Sequence, residues 1–142
     1  MTAVSGQVQI GRHLFAVEPP DVIRVVLHGD LSAEELRETL TFERILAAES
    51  GRVLLMLDAS DLGHVGSEAR KAINETTDIP FRGYAVYGAS FHARLIFNMM
   101  ILVRKLLMKG EEVPAIFCAT EAEARRWIEA RRVALDGGER IR

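Results

Sequence analysis

The sequence predicts an α/β domain in which about four helices cover a mostly parallel sheet of about five strands, with an antiparallel hairpin at its start. The chain has 142 residues, the usual size of one domain, and we expect one domain with an ordered core over about residues 12–132. Short apolar runs alternate with helical segments, which is typical of parallel strands joined by right-handed crossovers. The first two runs are separated only by a Pro-Pro-Asp turn, so they should pair as a hairpin.

The first part of the chain predicts two strands and one helix. Residues 13–17 and 22–27 are the two short apolar runs of the hairpin. Ser32 and Glu35 then have the spacing of a capping box, and Gly51 provides a helix end. The helix between them should turn its periodic apolar residues toward the sheet: Leu36, Leu40, Ile45 and Leu46.

The rest of the chain predicts three further strands, each followed by a helix. The apolar runs at 53–57, 84–87 and 115–118 are continuous, as expected for strands that are covered on both faces. Each run is followed by a residue whose side-chain oxygen can cap a helix: Ser67, Ser90 and Thr120. Gly137-Gly138 and the charged residues that follow them should form a frayed tail after the last helix.

Composition and charge exclude several classes of protein. The net charge is −2 and the pI about 6.1, so no bulk positive charge indicates a nucleic acid partner. The single cysteine, Cys118, cannot form an internal disulfide, and the start of the chain lacks the pattern of a secretion signal. We therefore expect a cytoplasmic protein.

Several blocks of the sequence carry a resemblance to a known family: GDLSAEELRE, LLMLDASDLG, SEARKA, YAVYGASFHARLIFN and IFCATEAEARRWI. In this order, over about residues 12–130, they resemble the SpoIIAA-like family of small stand-alone bacterial proteins, largely of unknown function. STAS domains, whose prototype is the bacterial anti-sigma-factor antagonist, share that fold with CRAL-TRIO lipid-transfer domains. The resemblance implies a SpoIIAA-like fold. It also implies a non-catalytic domain that binds an apolar or amphiphilic, lipid-like molecule or, alternatively, a STAS-type regulator that binds a protein partner.

The STAS branch of this resemblance implies a candidate phosphorylation switch. STAS antagonists are phosphorylated in an Asp-Ser-Ser-Gly turn at the start of the helix after the Asp-bearing strand. The resemblance places that turn on residues 66–69, where Gly66 replaces the Asp, Ser67 is kept, and Glu68 stands at the phosphorylated Ser. Glu68 either imitates a phosphorylated state or, as the favoured interpretation, is an ordinary acidic residue in a first helical turn. Ser67 remains the candidate phospho-switch position.

Catalysis and metal binding have weaker support in the sequence. Gly88-Ala89-Ser90-Phe91-His92 resembles a nucleophile elbow, but His92 stands where that motif needs Gly, and a helix cap explains Ser90 better. We therefore expect no catalytic residue, and a small hydrolase using Ser90 or Asp58 is only a remote alternative. His28, His64 and His92 match no compact ligand spacing, and no Walker or dinucleotide glycine pattern is present, so we expect no metal and no cofactor.

The carboxyl ends of the predicted parallel strands indicate where a ligand would enter. Ligands of open parallel sheets collect outside these ends, so Asp58, Ser60, Ser90 and Arg94 should border a polar mouth. Arg94 is the best anchor for an anionic head group. As an alternative, Asp58 only caps the turn that follows it.

The helix at residues 91–109 has more apolar surface than one sheet face requires. About 180° of its circumference is apolar, from Phe91 around to Met100, and Phe97, Ile101 and Met108 form a further patch beyond that arc. We predict that this further patch is covered in a homodimer, with a ligand pocket or an adjacent helix as competing explanations. Charged and polar residues interrupt the helix, so it should not span a membrane.

Overall fold

The computed structural model describes residues 6–109 and 113–141, which contain six strands in one sheet with the order β1-β2-β3-β4-β5-β6. The strands are β1 (Gly6–Ile10), β2 (His13–Glu18), β3 (Val22–Leu31), β4 (Val53–Val65), β5 (Phe81–Tyr87) and β6 (Ala115–Cys118). The helices are α1 (Ala33–Ser50), α2 (Ser67–Lys71), α3 (Phe91–Leu107) and α4 (Glu121–Ile141), and a 3-10 helix at Ala72–Thr76 directly follows α2.

The sheet confirms the predicted fold class. β1, β2 and β3 pair antiparallel, and β3 through β6 pair parallel. The prediction missed β1, so the sheet has six strands rather than five and begins before the predicted boundary at residue 12. The β1 sequence, GQVQI, is short and half polar, and it is an edge strand that pairs only with β2. A strand of this kind lacks the apolar run on which the prediction depended.

Strand β4 is longer than its apolar run. The sequence predicted a strand at 53–57 followed by a polar loop, but β4 continues to Val65 alongside β3. Beyond Asp58 the pairing with β3 shows register shifts, which are typical of β-bulges. In this extension Ser60, Asp61, Gly63 and His64 are exposed, whereas Ala59 and Val65 are buried.

Helix α1 has the predicted ends but not all of the predicted inward residues. The Ser32 hydroxyl accepts a hydrogen bond from the Glu35 N–H at 3.1 Å, and the Glu35 carboxylate accepts one from the Ser32 N–H at 3.0 Å. Gly51 ends the helix with φ of +84°, in the left-handed region. Ile45, expected to face the sheet, is 38% exposed, whereas Glu43 is 3% exposed.

Helix α4 continues through Gly137-Gly138 to Ile141, whereas the sequence predicted a frayed tail there. At its start Thr120 caps the helix as expected, since its hydroxyl accepts from the Glu123 N–H at 3.3 Å. A side-chain anchor supports the later turns, because Asp136 accepts a 2.8 Å bond from the Arg52 guanidinium. Because the Asp136 side chain is 46% exposed, the ion pair contributes about 0–1 kcal/mol, less than the cost of about 1 kcal/mol for each of the two glycines.

The helices cover the two faces of the sheet unequally. Side chains of α1 and α3 pack with Val25, Leu55 and Leu57 on one face. Side chains of α4 pack with Leu54 and Met56 on the other. Successive residues of a strand point to opposite faces, so the position of a residue along β4 determines which helices it contacts.

His13 is a buried polar group that joins the hairpin to α1. Its Nε2 lies 3.0 Å from the Asp30 carbonyl oxygen and 3.2 Å from the Glu35 carboxylate, and its Nδ1 accepts a 3.0 Å bond from the His28 N–H. These partners fix the neutral tautomer with the proton on Nε2, because Nδ1 must accept.

Asp21 is a second buried polar group, in the turn between β2 and β3. Its carboxylate accepts bonds of 2.8 Å from both Arg52 and Arg132 while its own side chain is 2% exposed. Arg132 belongs to α4, so this network attaches the turn between β2 and β3 to the C-terminal helix.

Candidate functional site

An apolar cavity of about 90 Å³ lies between the sheet and helices α1 and α3. Strands β3, β4 and β5 form its floor through Val25, Leu27, Leu55, Leu57, Phe81 and Val86. Helix α1 provides one wall with Leu36, Thr39, Leu40 and Glu43, and α3 provides another with Phe97, Met100, Ile101 and Arg104. The cavity therefore lies inside the layer where α1 and α3 meet the sheet.

Glu43 is the unusual group in this wall. Helical spacing places it on the same side of α1 as Leu36 and Leu40, and only 3% of it is exposed. Within residues 6–109 and 113–141 its carboxyl forms no hydrogen bond or ion pair. Burial raises its pKa from 4.5 to about 8, against the opposing charges of Arg44 and Arg104. At neutral pH the group is mainly a neutral carboxylic acid, which can donate a hydrogen bond.

The other polar side chains of the wall are used within the chain. The Thr39 hydroxyl donates to the Leu36 carbonyl at 2.7 Å, and the Thr76 hydroxyl donates to the Ile73 carbonyl at 2.8 Å. Arg104 is 3% exposed, and its guanidinium donates to Thr76 and to the Ile79 carbonyl, the latter at 2.6 Å. Tyr84 also lines the cavity and has a partner, so Glu43 is the polar wall residue that forms no hydrogen bond or ion pair within the described ranges.

A second cavity, of about 400 Å³, adjoins the first at the C-terminal end of α3. Tyr84, Ile101 and Arg104 line both cavities, and Met108 and Val113 line the second. The first cavity is smaller than the roughly 150 Å³ cavity that binds benzene in a protein core, whereas small-molecule pockets usually measure about 300–1,000 Å³. A ligand of more than a few heavy atoms would therefore have to extend past Ile101 into the second cavity.

The predicted polar mouth lies where β4 passes the carboxyl end of β5, but its side chains are bonded locally. Asp58 pairs with Tyr87, and a Cβ on Gly88 would lie 2.9 Å from the Ser60 Cβ. The Asp58 carboxylate accepts from the Ser60 N–H at 3.0 Å and from its hydroxyl at 2.6 Å, which is the local turn considered as the alternative. Ser90 caps α3 by accepting from the Ala93 N–H at 3.1 Å. Arg94 is exposed, with its guanidinium carbon 5.8 Å from the centre of the Phe117 ring. None of Asp58, Ser60, Ser90 and Arg94 lines the two cavities.

Helix α3 is rotated relative to the prediction. Phe97, Ile101 and Met108, expected on an outward patch, line the two cavities inside the chain. The outward apolar residues are instead those of the predicted inward arc: Phe91 (76% exposed), Leu95 (51%), Met99 (49%), Leu102 (54%) and Leu106 (68%). Both sides of the helix are apolar, so periodicity alone could not choose between them.

Ser67 begins α2 but does not cap it, contrary to the prediction. The cap position is Gly66, and no side-chain bond is made there. Ser67 and Glu68 are both exposed, and Glu68 lies 3.5 Å from Lys71. Phosphorylation of Ser67 stays a prediction.

The described part of the chain was compared with the geometry of a metal site and of a membrane-spanning helix. Residues 6–109 and 113–141 contain no group of three or more His, Cys, Asp or Glu side chains placed to hold a metal ion. The same ranges contain no helix with the length and hydropathy of a membrane span.

Comparison with known proteins supports the predicted fold. No family model matches the sequence, and no curated protein matches it. Among solved structures the chain is similar to an uncharacterised protein of the DUF3478 family with a SpoIIAA-like fold, from Shewanella loihica PV-4. The similarity covers 88% of this chain and 92% of that chain, with a TM-score of 0.55 and 12% identity. The chain therefore has a SpoIIAA-like fold, as its sequence blocks indicated.

Proposed function

We propose that the chain is a non-catalytic binding domain that holds a small apolar or amphiphilic molecule between the sheet and helices α1 and α3. The observation that carries this proposal is the apolar cavity with the buried Glu43 carboxyl in its wall. An empty apolar cavity reduces stability by about 24 cal/mol per Å³, and a buried carboxyl without a partner adds a further cost. A ligand that fills the space and satisfies the carboxyl offsets both costs.

The shape of the cavity supports a ligand of modest length. Phe97 and Met100 form the α3 wall, and the flexible Met side chain can adapt to ligands of different shape. Ile101 lines both cavities, so an apolar chain that extends from the first cavity into the larger one would pass this side chain. Ile101 is thus the position at which a bulky substitution would obstruct such a ligand most directly.

The hydrogen bonding of Ser90, the candidate nucleophile, supports a non-catalytic function. The Ser90 hydroxyl is engaged by the Ala93 N–H at the start of α3. In the described ranges no hydrogen bond joins Ser90 to a histidine, which a serine nucleophile would need as its base.

The proposal is tested by native mass spectrometry of the protein purified from its source cells, together with two tryptophan variants. Wild type should carry a small bound molecule, and Ile101→Trp should lose it because the indole occupies the passage between the cavities. Leu102→Trp is the matched control, since Leu102 is the next residue and points outward, 54% exposed. Retention of the bound mass by a folded Ile101→Trp protein would overturn the proposal.

A second candidate function is protein binding, and the outward apolar stripe of α3 favours it. The stripe contains Phe91, Leu95, Met99, Leu102 and Leu106, all about half exposed or more. Contiguous apolar surface of this kind is typical of interaction sites. The homodimer was predicted around Phe97, Ile101 and Met108, which line the two cavities. A dimer through α3 would therefore use the outward stripe instead, and light scattering on wild type and on Leu102→Glu would detect it.

A further inference from the structure

The chemistry of the cavity wall narrows the class of ligand. The strands β3 and β4 present only apolar side chains to the cavity, including Val25, Leu55 and Leu57. The Thr39 and Thr76 hydroxyls donate to backbone carbonyls, and the Arg104 guanidinium donates to Thr76 and Ile79. Tyr84 and Arg104 also line the cavity, and both have partners. Among the polar side chains of the described wall, the Glu43 carboxyl is therefore the one that forms no hydrogen bond or ion pair within residues 6–109 and 113–141.

We infer that the cavity takes an uncharged apolar ligand bearing a hydrogen-bond-accepting oxygen, such as a ketone or ester carbonyl, and that the Glu43 carboxyl donates the bond. This inference rests on the proposed function and adds to it the polarity of the ligand. A buried carboxylate head group requires a charged partner and several donors. Arg104, the cation of the wall, donates to Thr76 and to the Ile79 carbonyl, and the Glu43 carboxylic acid alone cannot replace the hydration of a carboxylate. A carbonyl oxygen requires a single donor, which Glu43 provides.

The protonation state of Glu43 is consistent with a donor role. Burial raises its pKa to about 8, so the acid form predominates at neutral pH. Arg44 on α1 and Arg104 on α3 are the charged groups whose fields reach it. Tyr84 of β5 is the other titratable side chain in the described wall of this cavity, while β3 and β4 contribute none. Above about pH 8 the ionised carboxyl becomes an acceptor and would repel a carbonyl oxygen.

The test is an NMR titration of the full chain with three probes of equal carbon number: hexane, hexan-2-one and hexanoate. The signals to follow are the methyl groups of Ile73 and Ile101, which both line the cavity. At pH 6 hexan-2-one should bind more tightly than hexanoate. The ratio of hexane to hexan-2-one dissociation constants should be roughly five-fold larger in wild type than in Glu43→Leu, as expected for one neutral hydrogen bond.

Two further variants separate the donor role from general packing. Glu43→Gln keeps an N–H donor at every pH, so its affinity for hexan-2-one should be equal at pH 6 and pH 9.5, whereas that of wild type should fall about five-fold or more. Thr39→Val removes a hydroxyl that already donates within the chain, and should leave the ratio of probe affinities unchanged.

The possible failures are distinguishable. If none of the three probes shifts the Ile73 and Ile101 methyl signals, the proposed function is wrong and the inference is wrong with it. If hexane and hexan-2-one bind with the same ratio in wild type and in folded Glu43→Leu, the cavity binds apolar molecules but Glu43 is not the donor. Tighter binding of hexanoate than of hexan-2-one would also overturn the inference and would assign the anchoring role to Arg104.

Discussion

Replacing Glu43 by Gln should change how stability depends on pH. Burial raises the pKa of Glu43 from 4.5 to about 8 in the folded state, so the folded state binds this proton more tightly than the unfolded state. A group of this kind makes the protein less stable as pH rises from 4.5 toward 8. Glutamine has nearly the same shape and no titration, so the Glu43→Gln variant lacks that contribution.

The magnitude follows from the two pKa values. Each pH unit between them costs wild type about 1.4 kcal/mol, so the free energy of unfolding should fall by about 3 kcal/mol more in wild type than in Glu43→Gln between pH 5 and pH 8. Other titrating groups are common to both proteins and cancel in the difference. A change of this size is a large fraction of the usual domain stability of about 5–15 kcal/mol.

The assay is urea unfolding at pH 5, 6, 7 and 8, followed by circular dichroism. Glu38→Gln is the matched control, because Glu38 lies on the exposed side of the same helix. The difference in unfolding free energy between Glu43→Gln and wild type should grow steadily with pH. Parallel profiles for the two proteins would refute the reasoning, since they would mean that Glu43 is charged and has a partner in the folded protein.

Three further substitutions test other parts of the structure. His13→Ala should destabilise the protein by about 2–4 kcal/mol in urea unfolding, because it opens a cavity and leaves the His28 N–H without its acceptor; a loss below about 1 kcal/mol would contradict this. Asp21→Asn should lower the free energy of unfolding by about 2 kcal/mol in the same assay. This loss is smaller than for a fully buried ion pair, because Arg52 and Arg132 keep some contact with water. An unchanged unfolding midpoint would contradict the network. Leu102→Glu should convert a wild-type dimer to a monomer in light scattering; a wild-type monomer would show that the outward stripe of α3 is not a homodimer interface.

The elements that the sequence predicted well are those whose signals are local. Ser32 with Glu35, and Thr120 with Glu123, have cap spacings that leave little choice of helix start, and the structure shows both caps. The apolar run at 53–57 likewise required a strand that is covered on both faces. For these two helix starts and this strand, the prediction and the structure agree because the local residue pattern permits only one backbone arrangement.

The elements that the sequence missed depend on contacts between distant residues. β1 is half polar and is defined by its pairing with β2, which no local pattern reveals. The orientation of α3 could not be chosen, because Phe97 on one side and Leu102 on the other are equally apolar, and the wrong side was selected.

The candidate site was missed for a related reason. The predicted mouth relied on the general position of ligands in parallel sheets and stays a prediction, whereas the cavity with Glu43 in its wall was not predicted. Glu43 did leave a signal, since it follows Leu36 and Leu40 at helical spacing and is therefore an acidic residue on an inward face. Its role in a cavity wall could not be predicted, because the cavity depends on how α1 and α3 pack on the sheet.

The most direct test of the central claim is to locate a bound ligand by intermolecular nuclear Overhauser effects, with isotope-labelled protein and unlabelled hexan-2-one. Binding in the cavity between the sheet, α1 and α3 predicts contacts from the ligand to the methyl groups of Ile73, Leu55 and Ile101. Contacts to Leu95 and Leu102 on the outward side of α3, with none to Ile73 or Ile101, would contradict the claim that this cavity is the binding site.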